Sequence, residues 1–191
     1  MVRPSTLLTA LWASTAASLR VRSVVHSGKG CPQDTKVSWS SADEAFVFTF
    51  HDFSETLAAG TTTSCQVHVQ IDEGEAGKAL LVEDATLRGG LYVSPVTKAE
   101  FLTVAFWSEN ASDSTSKEST IAAGAGPISR NVAVSQSLDF ASRCVGSDGY
   151  VGILNVNFRI VAQGSGKVSF GRERGSGAPV TEVLKYKWQS C

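Results

Sequence analysis

Long apolar runs, clustered cysteines, closely spaced histidines and an excess of charge of either sign are all missing from this sequence, and each absence removes a class of protein. After residue 18 no segment approaches the roughly twenty consecutive apolar residues that a membrane-spanning helix requires, so no membrane insertion is expected of the remaining chain. Seventeen basic residues stand against 18 acidic ones, a formal charge of −1. Nucleic acid and anionic membranes attract clustered cations, so neither is an expected partner. The histidines, His26, His51 and His68, are far apart, and no two cysteines lie two to four residues from each other. That spacing argues against a zinc site, and no metal or cofactor is expected. A copper-binding histidine brace would need His26 as the first mature residue, yet cleavage there would follow Val25, a poor signal-peptidase site. The Gly-x-Ser-x-Gly elbow of a serine hydrolase does not occur. Gly164-Ser165-Gly166-Lys167 lacks the upstream glycine of a phosphate loop and is followed by Val168, where a hydroxyl should meet magnesium. No catalytic residue is assigned.

What is present reads as a secreted all-β protein. Residues 1–18 have the form of a signal peptide: Arg3 supplies the positive start, Leu7 to Ala17 the apolar run, and Ala16-Ala17-Ser18 the small-residue cleavage site. Removing them leaves 16 basic residues against 18 acidic. Residues 19–30 read as a flexible lead and residues 31–191 as a single domain, large enough to fold alone. Four cysteines remain, Cys31, Cys65, Cys144 and Cys191, an even number that an oxidising export route would join in two disulfides. Three connectivities are possible, and the favoured one pairs Cys31 with Cys65 and Cys144 with Cys191.

Strand patterns dominate the rest. Ala45 to His51 alternates, with Phe46, Phe48 and Phe50 on one face. Ser64 to Ile71 places Cys65, Val67, Val69 and Ile71 on one side and Gln66, His68 and Gln70 on the other. Val151 to Val161 sets Leu154, Val156, Phe158 and Ile160 against Asn155, Asn157 and Arg159. Further strands are expected at 36–40, 79–86, 90–93, 101–107, 132–140, 167–170 and 181–188, with a short helix over 79–87 as an alternative to the first of the middle group. Turns are expected at Ala58-Ala59-Gly60, Asp72-Glu73-Gly74, Gly89-Gly90, Ser147-Asp148-Gly149 and Gly164-Ser165-Gly166. Strands at this spacing predict an antiparallel sandwich or jelly-roll. Residues 109–126, rich in Ser, Thr, Ala and Gly, read as a surface loop. Within them Asn110-Ala111-Ser112 is a glycosylation sequon. Residues 171–179 read as a long hairpin loop.

Two kinds of residue could still carry a site. Trp39, Trp107 and Trp188 sit at strands or their edges, where a tryptophan is either core or a platform for a sugar ring. Asp72, Glu73, Glu75, Glu83 and Asp84 supply carboxylates of the type that glycosidases pair, though acidic residues near turns are ordinarily solvated surface.

The cysteine contexts then read together: Gly30-Cys31-Pro32, Phe48-Thr49-Phe50 with Phe53, Ser64-Cys65-Gln66, Arg88-Gly89, Cys144, Leu154-Asn155-Val156-Asn157, and a terminal Trp188-Gln189-Ser190-Cys191. This order resembles the secreted fungal and bacterial family known as domain of unknown function 4360, over about residues 28–191. Ser64 departs from the asparagine usual before the second cysteine, and the stretch before Cys144 is altered. The resemblance implies secretion and a disulfide-bonded β fold, with no reaction and no catalytic residues to carry over. The leading functional expectation is a non-enzymatic fungal protein acting at a cell wall or host surface, in the manner of an effector. Its partner would be a cell-wall polysaccharide or a host surface protein. The alternatives are a carbohydrate-binding module and a small secreted glycan hydrolase. The oligomeric state is left open.

Overall fold

The computed structural model describes residues 19–191, so the expected signal peptide lies outside the described residues. Among the described residues twelve strands follow one another, with a single 3₁₀ turn at Ser108–Asn110. They are β1 (Arg20–Ser27), β2 (Val37–Ala42), β3 (Ala45–Phe50), β4 (Glu55–Ala58), β5 (Thr62–Asp72), β6 (Lys78–Val93), β7 (Thr97–Trp107), β8 (Thr115–Ala122), β9 (Ile128–Ala141), β10 (Gly152–Gly164), β11 (Lys167–Gly171) and β12 (Val180–Ser190). The first sheet has the order β1-β5-β10-β7-β8. The second runs β2-β3-β12-β6-β11-β4, with β9 paired to β6 as well. Every pairing is antiparallel. The expected sandwich is therefore the observed one, and it is held by disulfides joining Cys31 to Cys65 and Cys144 to Cys191.

Alternation explains the layers. On β3, β5, β7 and β10 every second side chain is buried, because successive residues of a strand point to opposite faces and only one face meets the other sheet. Between the layers lies a run of phenylalanines. Phe50 and Phe158 meet edge-on at 5.3 Å, Phe53 contacts Phe158 at 5.4 Å and Phe170 at 6.1 Å, and Phe101 meets Phe170 at 5.6 Å. Such tilted contacts add roughly 0.5–1.5 kcal/mol each beyond the area buried. Where the two sheets approach at β8 and β9, the Gln136 amide donates to the Phe101 carbonyl at 2.9 Å and lies 3.2 Å from that of Lys117, closing the seam.

Four expectations need correction. Residues 20–27 form β1 against β5 instead of a flexible lead. Residues 115–122 form β8 instead of a loop, because backbone pairing with β7 satisfies a segment whose Ser and Thr side chains give no apolar signal. Residues 78–93 form one strand, so the helical alternative over 79–87 is wrong. Gly89 and Gly90 lie inside that strand and make no turn. A Cβ on Gly89 would sit 2.7 Å from the Phe170 ring, and one on Gly90 2.3 Å from the Arg172 carbonyl oxygen. Close approach of a neighbouring chain, not a change of direction, requires glycine there.

Candidate functional site

The outward face of the first sheet is built by two polar rows in register. On β5, Gln66, His68 and Gln70 point away from the core, and β10 sets Asn157, Asn155 and Ile153 directly opposite them. On the far side of β10, β7 contributes Val104 opposite Asn157 and Phe106 opposite Asn155. Arg159 and Leu102 extend the face by another row. These outward side chains are half-buried for the most part, Arg159 being exposed and Asn155 buried. The surface thus alternates planar hydrogen-bonding groups with short apolar ones over neighbouring strands about 4.8 Å apart.

Asn155 is 3% exposed because the 3₁₀ turn after β7 folds over it. Its Nδ2 donates to Ser108 Oγ at 2.8 Å, to the Ile153 carbonyl at 3.1 Å and to the Phe106 carbonyl at 3.4 Å. All those partners accept, which fixes the amide with its Oδ1 towards His68, 2.5 Å from Nδ1. His68 must therefore donate from Nδ1, and in the neutral ring Nε2 is left as an acceptor. Beside this pair, Asn157 Nδ2 donates weakly to Gln66 Oε1 at 3.5 Å, so both amides keep unused donors and acceptors.

One end of the face deepens into a cleft of about 380 Å³ lined by Arg22, Gln70, Asp72, Glu73, Asp148 and Tyr150. Glu109, the middle residue of the 3₁₀ turn, accepts the Tyr150 hydroxyl at 2.7 Å and the Ile153 backbone N–H at 3.1 Å. Burial first, then that hydrogen bond and the charges of Glu109 and Asp72, push the Tyr150 phenol up to about 12. It therefore stays a protonated donor throughout the ordinary pH range. Asp72 is ion-paired with Arg22 and Glu73 with Arg20, at 3.0 Å for the second pair.

The sequence-selected residues fall in several places. Of the five carboxylates, Asp72 and Glu73 share the cleft, while Glu83 pairs with Lys187 on the other sheet. Trp107 is core, 1% exposed, and cannot face a ligand: inward alternation on β7 carries it against Phe140. Trp188 is half-buried and packed against the core, and Trp39 is 43% exposed on β2. The three tryptophans form no common platform. Asn110 closes the 3₁₀ turn beside the buried Asn155, with Ser112 Oγ donating to its Oδ1 at 3.4 Å. Tyr150, Glu109 and the His68–Asn155 pair went unselected. Alternation put Gln66, His68 and Gln70 on a polar face, but only the register of β5 with β10 brings that face to Asn155 and Asn157.

The family model described as Domain of unknown function (DUF4360) matches residues 17–191. No curated protein matches the chain. Among solved structures it is similar to the module TmCBM61 in complex with β-1,4-galactotriose, at 10% identity over 89% of this chain and 90% of that one, with a TM-score of 0.30. A Clostridium thermocellum xylanase 10B structure, CBM22-1 with its GH10 module and xylohexaose, is 9% identical over 85% of this chain and 26% of that one, TM-score 0.30. A family 11 carbohydrate-binding module from Clostridium thermocellum, with a mixed-linked tetrasaccharide, is 9% identical over 90% and 97%, TM-score 0.27. At these scores none of the three bears on what this chain binds.

Proposed function

This chain belongs to the DUF4360 family, and we propose that it is an extracellular carbohydrate-recognition module whose ligand, a neutral cell-wall glycan chain, lies along the outward face of the first sheet. One observation carries the reading: the row of Gln66, His68, Gln70, Asn157 and Arg159, with spare hydrogen-bonding capacity, interleaved with half-buried Ile153, Val104, Leu102 and Phe106. A sugar offers hydroxyls in its plane and C–H groups on its faces. A surface that alternates amides with apolar patches satisfies both at once, whereas a protein partner would call for a larger dry centre. His68 Nε2 accepts a ligand hydroxyl, and the Tyr150 phenol and Gln70 receive the chain at the cleft end. Two disulfides suit an oxidising extracellular setting. Among the described residues no helix is long and apolar enough to cross a membrane.

The test is retention of the full, disulfide-bonded chain on insoluble chitin, β-glucan, xylan and mannan, followed by titration calorimetry with soluble oligomers of whichever polymer retains it. His68→Ala and Asn157→Ala each weaken binding about tenfold, the cost of a lost hydrogen bond in a desolvated contact. The reading fails if no polymer retains the wild-type chain, or if both variants bind as tightly as it does.

A further inference from the structure

A second groove, of about 320 Å³, lies on the other sheet and is lined by Ser54, Glu55, Gly90, Ser169, Arg172 and Arg174 among others. Its floor is glycine, and at Gly90 by necessity. Gly90 of β6 pairs with Gly171 of β11; a Cβ on Gly90 would collide with the Arg172 carbonyl oxygen, and one on Gly171 would press more mildly on Ser54, at 3.2 Å. The 172–174 backbone therefore rests directly on β6, which brings two arginines to the groove.

Arg172 is held by its side chain and Arg174 by its backbone alone, both are exposed, and neither is neutralised. The Arg172 guanidinium donates through Nη1 to the Gly177 carbonyl at 3.2 Å and through Nη2 to the His51 carbonyl at 2.5 Å. These acceptors are uncharged and use two of its five N–H groups, leaving three. Arg174 is pinned by its backbone: its N–H donates to Asn131 Oδ1 at 2.7 Å, and Asn131 Nδ2 donates to its carbonyl at 3.2 Å. Its guanidinium has no hydrogen-bond partner among the described residues. The ion pairs found there engage Arg20, Arg22 and Lys187 instead. Glu55 lines the groove but pairs with neither arginine, and Glu173, between them in sequence, accepts from Ser176.

We infer that this groove binds a small oxyanion, of the carboxylate or phosphate type. Guanidinium forks match the two oxygens of such a group, and the two carbonyls that already fix the Arg172 fork lower the cost of ordering it, while the pinned 174 backbone keeps the second arginine at the groove. The groove is also of a size that suits one small substituent, near the lower end for ligand pockets. This inference is independent of the glycan face.

The experiment is an amide NMR titration of the full, oxidised chain with sodium glucuronate, with inorganic phosphate, and with glucose as the neutral control. Saturable shifts at the Gly90, Gly171 and Arg174 amides are expected with an anion and not with glucose. Arg174→Gln raises the midpoint about tenfold, the loss of one charge-assisted contact, and leaves glycan retention unchanged. A response to glucuronate alone assigns a carboxylated sugar, and a response to phosphate alone assigns a phosphate ester. Either supports an oxyanion site. Shifts absent with both anions, equal with glucose, or unaltered in Arg174→Gln overturn it.

Discussion

Glu182 faces inward on β12, between Phe48 of β3 and Leu87 of β6, and is 1% exposed with no hydrogen-bond partner among the described residues. Burial alone pushes its carboxyl up from 4.5 to about 8. A proton bound more tightly in the folded chain than in the unfolded one stabilises the fold. That stabilisation is complete below about 4.5, is lost as pH rises through the window, and is gone above about 8. A shift of that size corresponds to roughly 4 to 5 kcal/mol across the window. Urea unfolding at pH 5, 7 and 9 should therefore show wild-type stability falling with pH. In Glu182→Gln the fall should largely vanish, and Glu182→Met, which also removes the unsatisfied polar group, should exceed wild type at pH 8 by roughly 4 kcal/mol or more. Equal wild-type stability at pH 5 and 9 would remove the basis for this account.

At the scale of the strand, Gly90 shows how a neighbour decides what a residue does. Gly90→Ala puts a methyl group 2.3 Å from the Arg172 carbonyl oxygen, so β6 and the 172–174 segment must separate. The expected loss is roughly 2–3 kcal/mol by thermal unfolding, with the oxyanion response of the groove lost as well. Gly126→Ala, which meets nothing within 4 Å, should stay within about 0.5 kcal/mol of wild type and serves as the control. The same contrast explains what the sequence could reveal. Strands β3, β5 and β10 are legible because one face is buried and the other wet, so alternation is written into their residues. Strand β8, whose burial follows no strict alternation, and the exposed edge strand β1 give no such period. Pairing makes them strands, β8 with β7 just before it and β1 with the more distant β5, and their own side chains do not announce it. The candidate site was half legible for the same reason: both polar rows could be read, but not their register.

For the molecule as a whole, apart from β2 with β3 and β7 with β8, the sheet pairings join segments far apart in the chain, so the loop-closure entropy of folding is large and the two cross-links offset part of it. The bridges span 34 and 47 residues, and each is expected to contribute about 4 kcal/mol on the chain-entropy model. Against a typical net stability of roughly 5–15 kcal/mol, losing both would leave little margin at physiological temperature. The two bridges should nevertheless differ in what they hold. Cys144–Cys191 anchors the end of β12 and the 142–151 segment, where Val145 bonds to Lys78 and Gly77 and where Gly149, between the cleft residues Asp148 and Tyr150, bonds to Gly74. Cys31–Cys65 ties the chain after β1 to β5, next to Gln66. Replacing Cys144 and Cys191 by serine should lower stability by about as much as replacing Cys31 and Cys65. Only the first pair of substitutions should free Tyr150, read as loss of hydrogen-exchange protection at Val151 and Ile153 while the β5–β10 pairing of Gln66 with Asn157 stays protected. Uniform loss of protection across both regions in each variant would show that the sandwich opens as one unit and that the cleft has no anchor of its own.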